Sequence, residues 1–109
     1  VRGAIDAGVK VIEHGHLMDD ETAKYIAEKG IWLSTQPFLA EEGSSFKPGS
    51  IQYLKKKAVV AGTDVMYRLV RKHGIKTAWG TDILFSQEQA RRQTALLSAM
   101  TRWFTPAEA

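Results

Sequence analysis

Three times in this chain a helix-like stretch runs into a glycine and an apolar run follows at once. Gly8-Val9, Gly30-Ile31 and Gly74-Ile75 open those runs, and each run closes in polar residues. A helix–glycine–strand order repeated without hairpin signals implies parallel strands joined by right-handed crossovers. Parallel sheets need both faces covered, and three such strands in 109 residues leave little material to cover them. The expected fold class is therefore α/β, and the chain is expected to be part of something larger.

The first helix ends at Ala7, with Gly8 as its C′ residue. A strand over 9–12 follows and closes in Glu13-His14-Gly15-His16. Asp19 and Asp20 supply an N-cap and favourable charge for a helix over 21–29. Gly30 ends that helix, and a second strand over 31–33 closes in Ser34-Thr35-Gln36-Pro37, where proline stops the pairing. Residues 38–49 form a long polar loop of the kind that serves as a lid or binding segment. A helix over 51–73 comes next, interrupted in its apolar pattern by Gly62-Thr63, and Gly74 leads into a third strand over 75–79. After Asp82, an apolar loop over 83–86 precedes a helix over 87–101, with Leu96, Leu97 and Met100 on its buried side. Thr105 and Pro106 then read as the cap and first position of a further helix. Val1 enters directly into helical sequence, so the chain is expected to be a fragment of one domain, cut at both ends.

Composition excludes several classes. The absence of cysteine rules out a disulfide scaffold and any thiolate metal site. No apolar run approaches the ~20 residues of a membrane helix. The net charge of +3 comes mainly from Lys55-Lys56-Lys57, Arg68, Arg71, Lys72, Arg91 and Arg92, all on predicted helices with few aromatics between them. That is the pattern of solvated helix faces, so neither nucleic acid nor membrane is expected as a partner. Gly43-Ser44-Ser45 lacks the lysine and following helix of a phosphate loop.

The chemistry-bearing residues lie at the strand ends, where α/β proteins keep their sites. His14 closes the first strand and Asp82 follows the third, in Lys76-Thr77-Ala78-Trp79-Gly80-Thr81-Asp82. On alternate strands of a barrel they could reach a shared metal, His14 by a neutral nitrogen and Asp82 by an oxygen able to take a proton from water. The competing reading makes His14 a satisfied strand-end histidine and Asp82 a turn carboxylate. His16 shares an H-x-H with His14, and beyond the Gly15 bend it reads as lining a pocket. Glu13 points away from His14 and is expected to pack or pair. His73 suits the end of its helix, Ser34 and Ser86 have no histidine–acid partners in view, and Trp32, Trp79, Phe85 and Trp103 read as core.

Ala7-Gly8-Val9-Lys10-Val11-Ile12-Glu13-His14-Gly15 resembles the sixth-strand segment of the amidohydrolase superfamily, and residues 76–82 resemble its eighth. Phe104-Thr105-Pro106-Ala107-Glu108-Ala109 looks like the helix that follows that barrel. The nearest flavour is the imidazolonepropionase-like and prolidase-like branch. The resemblance implies a partial (β/α)₈ barrel, strands six to eight, of a metal-dependent hydrolase that cleaves amide or peptide-like C–N bonds with a metal-activated water. It implies His14 and Asp82 as metal ligands, Asp82 also as the catalytic base, and one or two divalent ions, commonly zinc. His16, Gln36 and Phe38 would lie on the substrate side, facing a small amide or dipeptide such as a prolyl dipeptide or another N-acyl amino acid. The family's first-strand H-x-H, fourth-strand lysine and fifth-strand histidine have no counterpart here. A whole barrel needs ~250 residues. The fragment is thus expected to be inactive alone and to associate with itself or with the missing barrel part through exposed sheet edges. The alternative function is a non-catalytic α/β interaction module in which His14 and Asp82 are structural.

Overall fold

The computed structural model describes residues 1–40, 46–84 and 87–109. Its elements are α1 (Arg2–Asp6), β1 (Val11–Glu13), α2 (Asp20–Glu28), β2 (Trp32–Thr35), α3 (Ile51–His73), β3 (Thr77–Trp79), α4 (Gln87–Ala90) and α5 (Gln93–Ala99). A 3-10 turn over Met100–Arg102 follows. The three strands form one parallel sheet in the order β1-β2-β3, so consecutive strands are neighbours and each crossover carries a helix, as the glycine punctuation predicts.

The helix ends follow local chemistry. Asp19 caps α2 by accepting from the Thr22 N–H at 2.8 Å, and Ser50 caps α3 through the Tyr53 N–H at 3.2 Å. Gly74 ends α3 at φ 63°, a left-handed conformation that only glycine adopts without cost. The carboxylate of Asp20, in the first turn of α2, accepts from Lys72 at 2.6 Å and from His73 at 2.9 Å. Those bonds, Lys72 first, hold its carboxyl below the usual range. They also tie the α3 C-terminus to the N-terminus of α2.

Register decides which side chains share a face. Ile12 pairs with Leu33, Leu33 with Thr77, and Thr35 with Trp79, so these five lie on one side of the sheet. Helices cover that side. Leu33 is fully buried and packs with Ile26, Met66, Tyr67 and Val70, while Ile12 and Trp79 lie against the same cluster. The opposite side carries Val11 and Trp32, which are 47% and 46% exposed. Trp32 is therefore not a core residue, contrary to the sequence expectation: alternation along the strand puts it on the uncovered face. Among the described residues the parallel sheet has only one of its two covers.

Tyr67 ties three elements together. Its hydroxyl donates to Thr35 Oγ1 at 3.1 Å, and Thr35 Oγ1 donates on to the Ala78 carbonyl at 3.4 Å. Trp103 stacks on the Tyr67 ring at 4.3 Å and Phe104 meets it edge-on at 5.8 Å. Burial pushes the Tyr67 phenol up to about 12. An unfolded tyrosine ionises near 10, so between those values the folded chain holds a proton that the unfolded chain has lost. Stability is accordingly full below about pH 10 and falls as pH rises toward 12, by roughly 2–3 kcal/mol. Tyr67→Phe is expected to cost about 1 kcal/mol at neutral pH and to flatten that alkaline slope. Urea unfolding at the two pH extremes reads both effects.

Several boundaries depart from the sequence reading, the third strand among them, which runs Thr77–Trp79 instead of 75–79. The strands run Val11–Glu13 and Trp32–Thr35 instead of 9–12 and 31–33, because Ser34 and Thr35 stay in the ladder: the Ser34 carbonyl accepts from the His14 N–H at 2.8 Å and the Thr35 carbonyl from the Gly80 N–H at 3.0 Å. The expected helix over 87–101 is broken at Arg91-Arg92 into α4 and α5. Leu96 and Met100 are buried, Leu97 is exposed, and α4 buries nothing. Most helix stability in proteins comes from a packed face, and this segment has too thin a face to hold one straight cylinder. Thr105 does cap as expected. Its N–H donates to Glu108 Oε2 at 2.7 Å and its Oγ1 accepts from the Glu108 N–H at 3.4 Å, a reciprocal capping box around Pro106.

Candidate functional site

Each strand delivers polar residues to the same edge of the sheet. At the end of β1 the chain turns sharply: His14 has φ 69° and Gly15 φ 75°. Glycine suits Gly15, whose φ of 75° strains any other residue and whose added Cβ would press on the Leu33 Cδ1 tip at 2.9 Å. The turn swings His14 and His16 toward the residues that follow β2. His14 Nδ1 lies 2.7 Å from Gln36 Oε1, and His16 Nε2 lies 2.8 Å from the Gln36 carbonyl oxygen. Phe38 packs on the His16 ring at 4.8 Å and faces His14 at 6.5 Å. His14, His16, Gln36 and Phe38 thus form one cluster.

His16 and Gln36 are buried, whereas His14 is exposed. Burial holds the His16 imidazole below its usual range; the bond to the Gln36 carbonyl opposes that shift, and the neighbouring His14 adds to it. His16 is therefore a neutral wall residue with its Nε2 already committed. A cavity of about 870 Å³ opens beside the cluster, lined by His14, His16, Phe38, Leu17, Arg2 and Val59 among others.

α3 closes one side of the site. Thr63 donates to the Phe38 carbonyl at 3.1 Å, and Gly62 lets the helix approach the His16 backbone so closely that a Cβ would lie 2.2 Å from the His16 carbonyl oxygen. Sequence reasoning did not see this role for Gly62, although an unexplained glycine inside a 23-residue helix was its signal.

Asp82 lies beyond the end of β3, exposed, with φ 51°. β1 and β3 flank β2, so their backbones are roughly 10 Å apart, and among the described residues no hydrogen bond or ion pair joins Asp82 to the histidine cluster. His14 and Asp82 are the two non-glycine residues with positive φ among those described. Left-handed backbone at a non-glycine residue carries strain and collects at functional sites. Among the described residues no group of three or more His, Cys, Asp or Glu side chains forms a ready cation site. The two candidate donors still suit a divalent ion. His14 is exposed with its Nδ1 held by an amide oxygen, the outer-shell arrangement usual for a metal-binding imidazole, and Asp82 offers a carboxylate. Ser86, Phe85 and the Gly43-Ser44-Ser45 segment lie outside the described residues.

No family model matches the chain, and no curated protein matches it. Solved structures do. The crystal structure of an amidohydrolase superposes over 96% of the chain with a TM-score of 0.79 and 30% sequence identity, and the match spans 26% of that protein. The match is consistent with the chain being a fragment of an amidohydrolase. A prolidase solved in complex with N-methylphosphonate-L-proline has the same fold over 93% of this chain, with a TM-score of 0.75 and 24% identity, across 25% of its own length. An uncharacterised protein matches 86% of the fragment, with a TM-score of 0.62 and 24% identity. The fragment spans about a quarter of each of these chains, and its α/β architecture with three parallel strands is consistent with a partial barrel. The amidohydrolase neighbour supports a hydrolase-family origin.

Proposed function

We propose that this fragment supplies part of the metal site and the catalytic base of an amidohydrolase that cleaves amide or peptide-like C–N bonds. The observation that carries the reading is the strained, left-handed backbone at His14 and Asp82 alone among the described non-glycine residues. These are the residues at the ends of the two outer strands. His14 and Asp82 would hold a divalent ion, zinc by the chemistry of imidazole and carboxylate donors, and when bound it would supply Lewis acidity toward a carbonyl oxygen and toward water. The Asp82 carboxylate takes the proton from the attacking water and returns it to the departing amine nitrogen. His14 contributes a neutral imidazole nitrogen. Phe38 and the uncharged His16 give the substrate side an apolar wall. The substrate class we favour is a small N-acyl amino acid or dipeptide, since the prolidase neighbour was solved with a phosphonate of proline.

A three-stranded sheet with one uncovered face among the described residues and two open edges, β1 and β3, does not make a complete site alone. The exposed Val11 and Trp32 support association with the rest of a barrel or with another copy. The isolated fragment is expected to show no hydrolysis. In the complete enzyme, Asp82→Asn is expected to lower kcat on N-acyl amino acids or dipeptides about 10²–10⁴-fold. An unchanged kcat would remove Asp82 as the base and favour a non-catalytic interaction module.

A further inference from the structure

We infer that Gln36 is a positioning residue that fixes the protonation of both imidazoles, leaving His14 Nε2 as the unprotonated nitrogen. The inference deepens the metal-site reading above and rests on it for its purpose. Its geometry stands on hydrogen bonds alone.

Gln36 follows β2 and is buried, and Pro37 restricts it to extended backbone. Its main-chain carbonyl accepts from the Phe38 N–H at 3.1 Å and faces His16 Nε2 at 2.8 Å. A carbonyl oxygen can only accept, and these two contacts use both of its lone pairs. His16 must therefore carry its proton on Nε2. The side chain of the same residue puts Oε1 2.7 Å from His14 Nδ1. With the amide oxygen in that place, His14 Nδ1 is the donor, and the lone pair of the neutral ring lies on Nε2. One residue thus assigns opposite tautomers to two histidines two positions apart. His14 is left able to coordinate a cation, and His16 is committed to the wall. Metal-binding histidines are usually oriented this way, by a partner on the other ring nitrogen.

The test is long-range ¹⁵N–¹H correlation NMR of the imidazoles in the metal-free chain at about pH 8, above the ordinary histidine range. It compares wild type with Gln36→Met and Gln36→Glu, followed by zinc titration of each. In wild type, His14 is expected to be protonated on Nδ1 and His16 on Nε2. Gln36→Met removes the side-chain acceptor but keeps the main-chain carbonyl, so His14 is expected to move its proton to Nε2 while His16 stays as it was. Gln36→Glu keeps an acceptor and is expected to restore the Nδ1–H form. Zinc affinity is expected to fall about 10–100-fold in Gln36→Met and to recover in Gln36→Glu. A wild-type His14 protonated on Nε2, or an Nδ1–H form that persists in Gln36→Met, overturns the inference. If Gln36→Met fails to fold, the wild-type and Gln36→Glu spectra still decide it. The expected tautomers without zinc binding, in the chain assembled with the rest of its barrel, would sink the metal reading and leave the positioning role standing. Zinc binding with the opposite tautomer would do the reverse.

Discussion

Gly62→Ala is expected to destabilise the fold by about 3 kcal/mol, the upper part of the range for overpacking. A glycine inside an exposed helix normally gives the opposite sign, since alanine gains about 1 kcal/mol in helix propensity. Here the new methyl would sit 2.2 Å from the His16 carbonyl oxygen, 3.1 Å from its carbon and 3.3 Å from Leu17 Cδ2. The leucine tip can move; the backbone cannot move cheaply. The His16 ring is anchored to the Gln36 carbonyl. On the other side, α3 is held by the Thr63 bond to Phe38 and by buried Met66 and Tyr67. Relief must come from parting α3 from the turn after β1, which opens the candidate site. Urea unfolding measures the cost. A variant as stable as wild type, or more so, would mean that α3 does not press on the His16 turn.

Asp82→Gly is expected to separate stability from function. The left-handed φ of 51° at Asp82 costs a side-chain-bearing residue of order 1 kcal/mol, and glycine adopts it freely. The substitution deletes an exposed carboxylate at that position, so thermal stability is expected to hold or rise. Zinc affinity is expected to fall by more than the 10–100-fold typical of losing an outer-shell partner, because a direct donor is gone. A loss of stability would instead mark Asp82 as a structural turn residue.

Much of the fold is legible from punctuation. Gly8, Gly30 and Gly74 all take positive φ at helix ends, Asp19 and Ser50 cap as their types predict, and α3 runs from Ile51 to His73 as its pattern indicates. Local sequence carries those signals because they depend on neighbouring residues. It carries less about what depends on distant ones. Trp32 reads as core by composition, yet pairing with Val11 turns it to the bare face. The break between α4 and α5 falls among good helix formers and reflects missing tertiary cover. The site divides in the same way. Strand-end position brings His14, His16, Gln36 and Phe38 to one edge, and parallel order makes that convergence foreseeable. The two bonds that Gln36 makes, one from each end of the residue, depend on the turn at His14 and Gly15, and strand pattern does not encode that turn.

The central claim is that His14 and Asp82 together hold a divalent ion. Calorimetric zinc titration tests it on four proteins: wild type, His14→Ala, Asp82→Ala and the double variant, with native mass recorded on each sample. The prediction is one class of zinc site in wild type, weakened strongly by either substitution, with the double variant little worse than the weaker single because both remove the same site. Equal zinc affinity in all four proteins, or none in a folded wild type assembled with the rest of its barrel, would contradict it.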